Sequence, residues 1–319
     1  MKSVVLDGYA LNPGDLSWSG LEQLTALTVH DRTDRDLIVE RARGASIVLT
    51  AKTPLTAESL RQLGTLRYIG VLATGYDNVD VRAARELGIA VTNIPAYGTD
   101  SVAQFVFALL LEMCHHIPIH SDAVRAGEWS ANPDWSFSKT PLVELAGKTM
   151  GIVGFGRIGR QVARIADAMN MRVVANDEWP NKPPDDSGFQ WASIGDLLAL
   201  SDAVTLHCPS LPETKGLIDA ERLRGMKPSA FFINTSRGAL VVDRDLAEAL
   251  NENRLAGAAL DVLSVEPPLP ANPLFTAKNC LITPHIAWAT KEARTRLIEV
   301  ATQNVAAFLD GNAKNVVNS

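Results

Sequence analysis

The sequence predicts an α/β protein of two domains, each a parallel sheet covered by helices. Three observations carry this expectation. The chain has 319 residues, and at about 150 residues per domain that length suits two. Short apolar runs alternate with helical patterns in two separate series, one over residues 1–98 and one from Thr149 to Pro284, and such alternation builds parallel sheets. The second series opens on a glycine-rich turn between a strand and a helix, Gly154-Phe155-Gly156-Arg157-Ile158-Gly159. Hydrophobic residues make up 46% and charged residues 21% of the chain, enough for an ordinary core in each domain.

In the first series, strands are expected at 4–6, 47–49, 68–71 and 90–91, separated by helices at 34–43, 56–62 and 81–87. The first strand meets Asp7 before any signal-peptide core can form. A long helix then starts near Thr99 and Asp100, either of which can cap it, and runs to Cys114. Its greasiest stretch, 105–111, is broken by Glu112, well short of the roughly 20 apolar residues a membrane span needs. Residues 128–141 hold Trp129, Pro133, Trp135 and Pro141 among Asn and Ser, which reads as a loop packed by its own aromatics. The last segment, 291–309, places Ala293, Leu297, Val300, Ala301, Val305, Phe308 and Leu309 on one helical face. It follows the second series, and its sequence leaves open which domain it covers.

Composition excludes several classes of function. Thirty basic residues against 36 acidic ones give a net charge of −6, a poor match for a nucleic-acid backbone. Cys114, Cys208 and Cys280 are far apart, odd in number and without metal-ligand spacing. They fit neither a disulfide framework nor a metal site, and point to a reducing, cytoplasmic compartment. No metal, membrane or nucleic-acid partner is expected.

The glycine-rich turn carries the cofactor argument. Thr149-Met150-Gly151-Ile152-Val153 is a short strand, the turn follows at once, and a helical pattern runs from Gln161 to Met169. In a dinucleotide fingerprint Gly154 permits the tight turn, Gly156 lets the backbone approach a pyrophosphate, and Gly159 lets helix and strand pack closely. The pyrophosphate would sit on free N–H groups at the helix N-terminus. The next strand, 171–176, ends at Asp177, 18 residues after Gly159, where an acid can hold ribose hydroxyls. Glu178 follows and no Arg lies between Asp177 and Asp185, so a 2′-phosphate would be repelled and NAD is favoured over NADP.

A hydride transfer to a carbonyl also needs a proton carrier, an orienting group and stabilisation of developing charge. Of the six histidines, His115, His116 and His120 are expected as surface or capping residues at the end of the long helix, leaving His30, His207 and His285. His285 stands apart, because it follows an expected buried strand at 280–282, at the edge where such folds place ligands. Arg237 leaves the buried-strand pattern 230–234, Asp261 follows 258–260, and Glu266 comes five residues later in a Pro-rich loop. All four lie just beyond strand ends of one nucleotide-binding sheet.

These residues stand within motifs that resemble one family closely, the D-isomer-specific 2-hydroxyacid dehydrogenases. The resemblance spans essentially the whole chain. It is carried by the glycine-rich turn, Leu206-His207-Cys208-Pro209, Asn234-Thr235-Ser236-Arg237-Gly238, Ala259-Leu260-Asp261-Val262 and Thr283-Pro284-His285. It implies two Rossmann-like or flavodoxin-like domains with the active site in the cleft between them. The substrate domain would be discontinuous, 1–98 plus 289–319, and the NAD-binding domain would be 99–288. By the same resemblance His285 is the acid/base, Glu266 orients it and stabilises its protonated form, and Arg237 binds the substrate carboxylate and polarises its carbonyl. Asp261 would face the nicotinamide carboxamide, with His207, Cys208, Pro209, Thr214, Thr235 and Ser236 around the cofactor. The segment 72–80 looks like the family's substrate loop, with Ala73, Thr74 and Gly75 gripping the carboxylate and Trp288 walling the pocket. Gln104 is a departure, since many members carry Glu there.

Finer resemblance, in 93–104 and 284–290, points to the glycerate dehydrogenase (hydroxypyruvate reductase) branch. It implies reduction of hydroxypyruvate to D-glycerate with NADH, and of glyoxylate as a second substrate. D-lactate dehydrogenase is an alternative within the family. 3-Phosphoglycerate dehydrogenase is another, disfavoured by a chain ending at Ser319 without an appended regulatory domain. Outside enzymes, an NADH-sensing corepressor shares the same triad. A homodimer is expected, because Val102, Phe105, Val106, Ala108, Leu109, Leu110 and Met113 leave the long helix apolar around most of its circumference. Trp135 could reach the site of a partner subunit.

Overall fold

Four-residue runs rich in Val, Ile and Leu form most of the first sheet. In the computed structural model, which describes residues 1–180, 183 and 188–318, these are β1 (Lys2–Val5), β2 (Ala26–Val29), β3 (Ile47–Thr50), β4 (Tyr68–Val71) and β5 (Ala90–Thr92). Asp185 and Ser319, which enter the arguments on cofactor choice and chain length, lie outside the described residues. Helices α1 (Ser19–Leu24), α2 (Ile38–Ala42), α3 (Ala57–Arg61) and α4 (Val81–Glu86) connect the strands. The order is β2-β1-β3-β4-β5, every neighbour parallel. β3 and β4 are buried throughout, which requires cover on both faces of the sheet.

The second sheet has seven parallel strands in the order β12-β11-β10-β9-β6-β7-β8. The long helix α5 (Thr99–His115) and the shorter α6 (Ile117–Arg125) precede it. Then come β6 (Thr149–Val153), α7 (Arg157–Ala168), β7 (Arg172–Asn176), β8 (Phe189–Trp191), α8 (Ile194–Leu200), β9 (Ala203–Leu206), α9 (Ala220–Arg224), β10 (Phe231–Asn234), α10 (Asp243–Asn251), β11 (Gly257–Leu260) and β12 (Cys280–Ile282). Chain order reverses between β6 and β9, and ligands of such sheets bind beyond the carboxyl ends of the strands at that switch point.

The chain divides into two compact units, Met1–Gly98 with Ala289–Ser319, and Thr99–Trp288. The last helix, α11 (Lys291–Leu309), packs on α1 and β4 of the first unit. Ala293, Leu297, Ala301 and Val305 are buried there, and the ring of Phe308 lies 4.7 Å from that of Tyr68. Asn304 is also buried on this face, where its side-chain amide donates to the Asn93 carbonyl and accepts from the Asn315 side chain.

Several local expectations are corrected. β2, α1, α6 and β8 were not expected. β2 and β8 lie at sheet edges and are only partly buried, so they lack the continuous apolar run of a central strand. The helix expected at 34–43 is a 3-10 turn, Arg35–Leu37, followed by α2. The strand at 280–282 is an edge strand, half-buried rather than buried. His116 adopts φ +47° and breaks the long helix, so His120 lies on α6. There its Nδ1 pairs with the His116 carbonyl, while Nε2 accepts from the Lys139 amide. The 128–141 loop is not packed by its aromatics. The Trp129 indole N–H donates to the Trp135 carbonyl, but the Trp135 side chain is 88% exposed.

Candidate active site

The glycine-rich turn leaves β6 at the switch point. Gly154 has φ +91°, and a Cβ on it would stand 2.4 Å from the Cys208 amide nitrogen, so the turns after β6 and β9 meet backbone to backbone. A Cβ on Gly159 would stand 2.3 Å from the Gly154 carbonyl, whereas one on Gly156 would meet nothing within 4 Å. The first and third glycines therefore serve close packing, and the second borders open space at the start of α7.

Asp177, just past β7, accepts from the Phe155 amide at 2.6 Å and from the Trp179 amide at 2.9 Å. The acid therefore also ties the end of β7 to the glycine turn, a use the motif does not reveal. The Phe155 ring points inward, with centroids 5.0 and 5.3 Å from Phe189 and Trp191. Its backbone and ring both serve the fold, while Arg157 is exposed and Ile158 half-buried.

Beyond β9 and β10 a set of side-chain bonds fixes the neighbouring turns. The Ser236 hydroxyl donates to the Cys208 carbonyl at 2.8 Å, and the Thr214 hydroxyl to that of Pro209 at 2.8 Å. Burial pushes the His207 imidazole down to about 3 and the Cys208 thiol up to about 11, so both are neutral near pH 7. Thr235 is buried, and its hydroxyl has no hydrogen-bond partner among the described residues. A buried orphan hydroxyl and the open flank of Gly156 both suit a polar, phosphate-bearing ligand. NAD fits the residues present.

Asn234, the last residue of β10, closes the following turn by donating to the Arg237 carbonyl and accepting from the Ser236 amide. Next in sequence, a Cβ on Gly238 would stand only 1.9 Å from the Leu263 carbonyl carbon. The Arg237 turn is thus seated directly on the backbone that leads to Glu266.

Glu266 and His285 meet. The Nδ1 of His285 lies 2.6 Å from Glu266 Oε2, and Oε1 accepts from the Leu263 amide at 3.3 Å. With Nδ1 engaged by the carboxylate, Nε2 is the ring atom available for proton exchange. His285 is held at φ +58°. Asp261, 1% exposed, supports it from below. Its carboxylate accepts from the Thr283 hydroxyl at 2.6 Å and from the Ile286 and Ala287 amides at 2.8 Å each. The Trp288 indole N–H closes the segment on the His285 carbonyl at 2.9 Å. Within this unit, then, the turns bearing His285, Glu266 and Arg237 are interlocked.

The sequence model for the NAD-binding domain of D-isomer-specific 2-hydroxyacid dehydrogenases matches residues 107–287. A hydroxypyruvate reductase of Blautia hydrogenotrophica is 50% identical over 321 residues, covering all of both chains. The chain belongs to the D-isomer-specific 2-hydroxyacid dehydrogenases. A glycerate dehydrogenase of Methylorubrum extorquens is 40% identical over 284 residues, 88% of each chain. Among solved structures, a Thermus thermophilus protein superposes with a TM-score of 0.87 at 36% identity, over 99% of this chain and 100% of its own. The dehydrogenase uses NAD, and Thr99–Trp288 contains its NAD-binding domain. Bound NADH supplies the hydride for the reaction.

In the first unit, the turn after β4 contains Ala73, Thr74 and Gly75. Two of its carbonyls are taken, since Ile94 N–H donates to Ala73 O and the Asn93 amide group to Thr74 O. Thr74 and Gly75 donate no backbone hydrogen bond among the described residues. Such a turn can present N–H groups to an anion. Asp7 holds the adjacent turn after β3 by accepting from the amides of Ala51, Lys52 and Thr53. Sequence reasoning missed that residue, whose role depends on a partner more than 40 positions away.

Proposed function

We propose that this dehydrogenase reduces hydroxypyruvate to D-glycerate with NADH, with glyoxylate as a second substrate. The observation that carries the reading is the 2.6 Å pair of His285 and Glu266, next to the seated Arg237 turn. The names of the Blautia and Methylorubrum relatives support the choice of 2-oxo acid. The Arg237 guanidinium binds the substrate carboxylate and polarises the C2 carbonyl. As hydride reaches C2, His285 Nε2 delivers its proton to the carbonyl oxygen, and the neutral imidazole is reprotonated from solvent. Glu266 holds the ring through Nδ1. Ala73, Thr74 and Gly75 bind the carboxylate through backbone N–H groups, so the unit Met1–Gly98 with Ala289–Ser319 is the substrate domain. Trp288 walls the substrate pocket. Asp177 holds the adenosine ribose and Asp261 the carboxamide, while Thr235 satisfies its hydroxyl on the cofactor.

The test is NADH oxidation with hydroxypyruvate, glyoxylate, pyruvate and 3-phosphohydroxypyruvate. Saturable turnover with hydroxypyruvate giving the highest kcat/KM is expected. A higher value with pyruvate or the phosphorylated acid would move the enzyme to another branch, and no turnover with any of them would favour a sensing role.

The protein works as a homodimer in this reading, through a different surface from that expected. The apolar residues of α5 largely fill the core of their own unit, with Val106, Phe107, Leu110 and Met113 buried. Exposed apolar side chains just beyond α5 in sequence are those of Ile117, Ile119 and Val124 on α6, followed by Trp129, Trp135 and Leu142. Light scattering should give about twice the 34.4 kDa chain mass at micromolar concentration. A cytoplasmic location fits the three free cysteines, and imaging of a tagged chain tests it.

A further inference from the structure

Glu266 lies in an exposed segment between β11 and the 3-10 turn Pro273–Thr276, so something must keep its carboxylate at the imidazole. The two ends of that segment converge on one atom. The Ser264 hydroxyl donates to Asp243 Oδ2 at 2.6 Å, and the Asn272 side-chain amide donates to the same oxygen at 2.8 Å. Asn272 in turn caps the 3-10 turn by accepting from the Leu274 amide at 3.0 Å. Asp243 is the first residue of α10, whose Leu246, Ala247, Ala249 and Leu250 are buried, so the acceptor is mounted on a core helix.

We propose that Asp243 is a positioning residue for the reduction, clamping Ser264 and Asn272 so that Glu266 stays within hydrogen-bond reach of His285. It acts through these two side chains and not on the substrate. The inference rests on the reading of His285 and Glu266 as the proton-transfer pair. Among the described residues, the charged groups that bear on His285 include Glu266, at Nδ1, and Asp261, which holds the following amides. The side chain of Arg244, beside Asp243, is engaged by Glu248.

Both bonds end on a single oxygen, so an amide can replace the carboxylate without losing either, and this separates a clamp from an effect of charge. Asp243→Ala should lower kcat with hydroxypyruvate by about tenfold or more, as expected when a reacting group drifts from its place. KM for hydroxypyruvate and NADH affinity by fluorescence titration should stay unchanged, because the clamp touches neither binding group. Asp243→Asn should stay within about twofold of native, since it keeps the acceptor. If Asp243→Ala does not fold, Ser264→Ala combined with Asn272→Ala removes the two donors and should reproduce the effect. Native kcat in the alanine variants, or an Asp243→Asn variant as impaired as Asp243→Ala, would overturn the clamp. Glu266→Gln measured in parallel separates the two readings. If it lowers kcat and the clamp variants do not, only the clamp falls. If it does not, the proton-transfer pair falls, and hydrogen exchange at 264–266 still decides whether Asp243 holds the segment.

Discussion

The amide of His285 donates to the Asp261 carbonyl at 2.8 Å, and the Asp261 carboxylate takes the next two amides, of Ile286 and Ala287. One residue grips the segment through both its backbone and its side chain, and so holds His285 at φ +58°, where few residues other than Gly and Asn settle. Burial pushes the Asp261 carboxyl above the usual carboxylate range, against the opposing pull of its hydrogen bonds. Asp261→Ala strands two amides and a hydroxyl, so a loss of about 3 kcal/mol in urea unfolding is expected, with a fall in kcat. Native stability and rate in this variant would show that the grip is dispensable.

Reduction needs His285 protonated, and oxidation of the hydroxy acid needs it neutral. The reductive kcat/KM should therefore fall as pH rises, and the oxidative value should rise. Glu266→Gln keeps a hydrogen-bond partner for Nδ1 but replaces the carboxylate that accepts from it. Its kcat should fall by about tenfold, while the melting temperature changes little. An unchanged kcat would remove Glu266 from the proton step.

His285→Gln should lower kcat by about 10²-fold or more, the usual contribution of a general acid. NADH binding, followed by fluorescence, should persist, because the glycine turn and Asp177 lie on other strands. Arg237→Lys should mainly raise KM for hydroxypyruvate, since a point charge replaces a planar fork. If KM stays at the native value, the carboxylate binds elsewhere.

Asp177→Ser should weaken NADH binding by about tenfold through the lost ribose contact and lift the repulsion of NADPH. The same change removes an acceptor of the Phe155 amide, so a lower melting temperature should accompany it. A native enzyme with higher kcat/KM for NADPH than for NADH would refute the assignment.

Burial pushes the thiols of Cys114 and Cys208 up to about 11 and that of Cys280 to about 12. At pH 7.5 less than about a thousandth of each is thiolate, the reactive form. Iodoacetamide at that pH should leave the rate of NADH oxidation intact. Inactivation as fast as that of a free thiol would place one of them in a more polar environment.

What could be read in the sequence and what could not divides along distance in the chain. The glycine turn and the central strands are local patterns, so the two parallel sheets were legible from apolar runs and spacing. β2 and β8 were not, because short edge strands with partly exposed side chains lack a distinctive period. At the site, the order of Arg237, Glu266 and His285 is visible in the motifs. The supports are not. Asp243 and Asp261 act on residues some 20 to 30 positions away, and no local pattern marks which acid will find them. The end of α5 was legible, since the expected helix stops at Cys114 and α5 at His115; the second helix that starts after the left-handed His116 was not.

Unit one is assembled from both ends of the chain, and that affects how it is made. Val91 donates to the Asn318 side chain and accepts from the Val317 amide, and Thr92 pairs antiparallel with Val316, so β5 does not end the sheet with a bare edge. These partners are separated by more than 220 positions. During synthesis the whole of Thr99–Trp288 leaves the ribosome before α11 and the residues that cover β5 exist. The NAD-binding unit can fold on the nascent chain, while the five-stranded sheet waits with an open border that invites pairing with other chains. The first domain to be translated is therefore the last to be finished, and closing it requires one of the longest loops in the molecule.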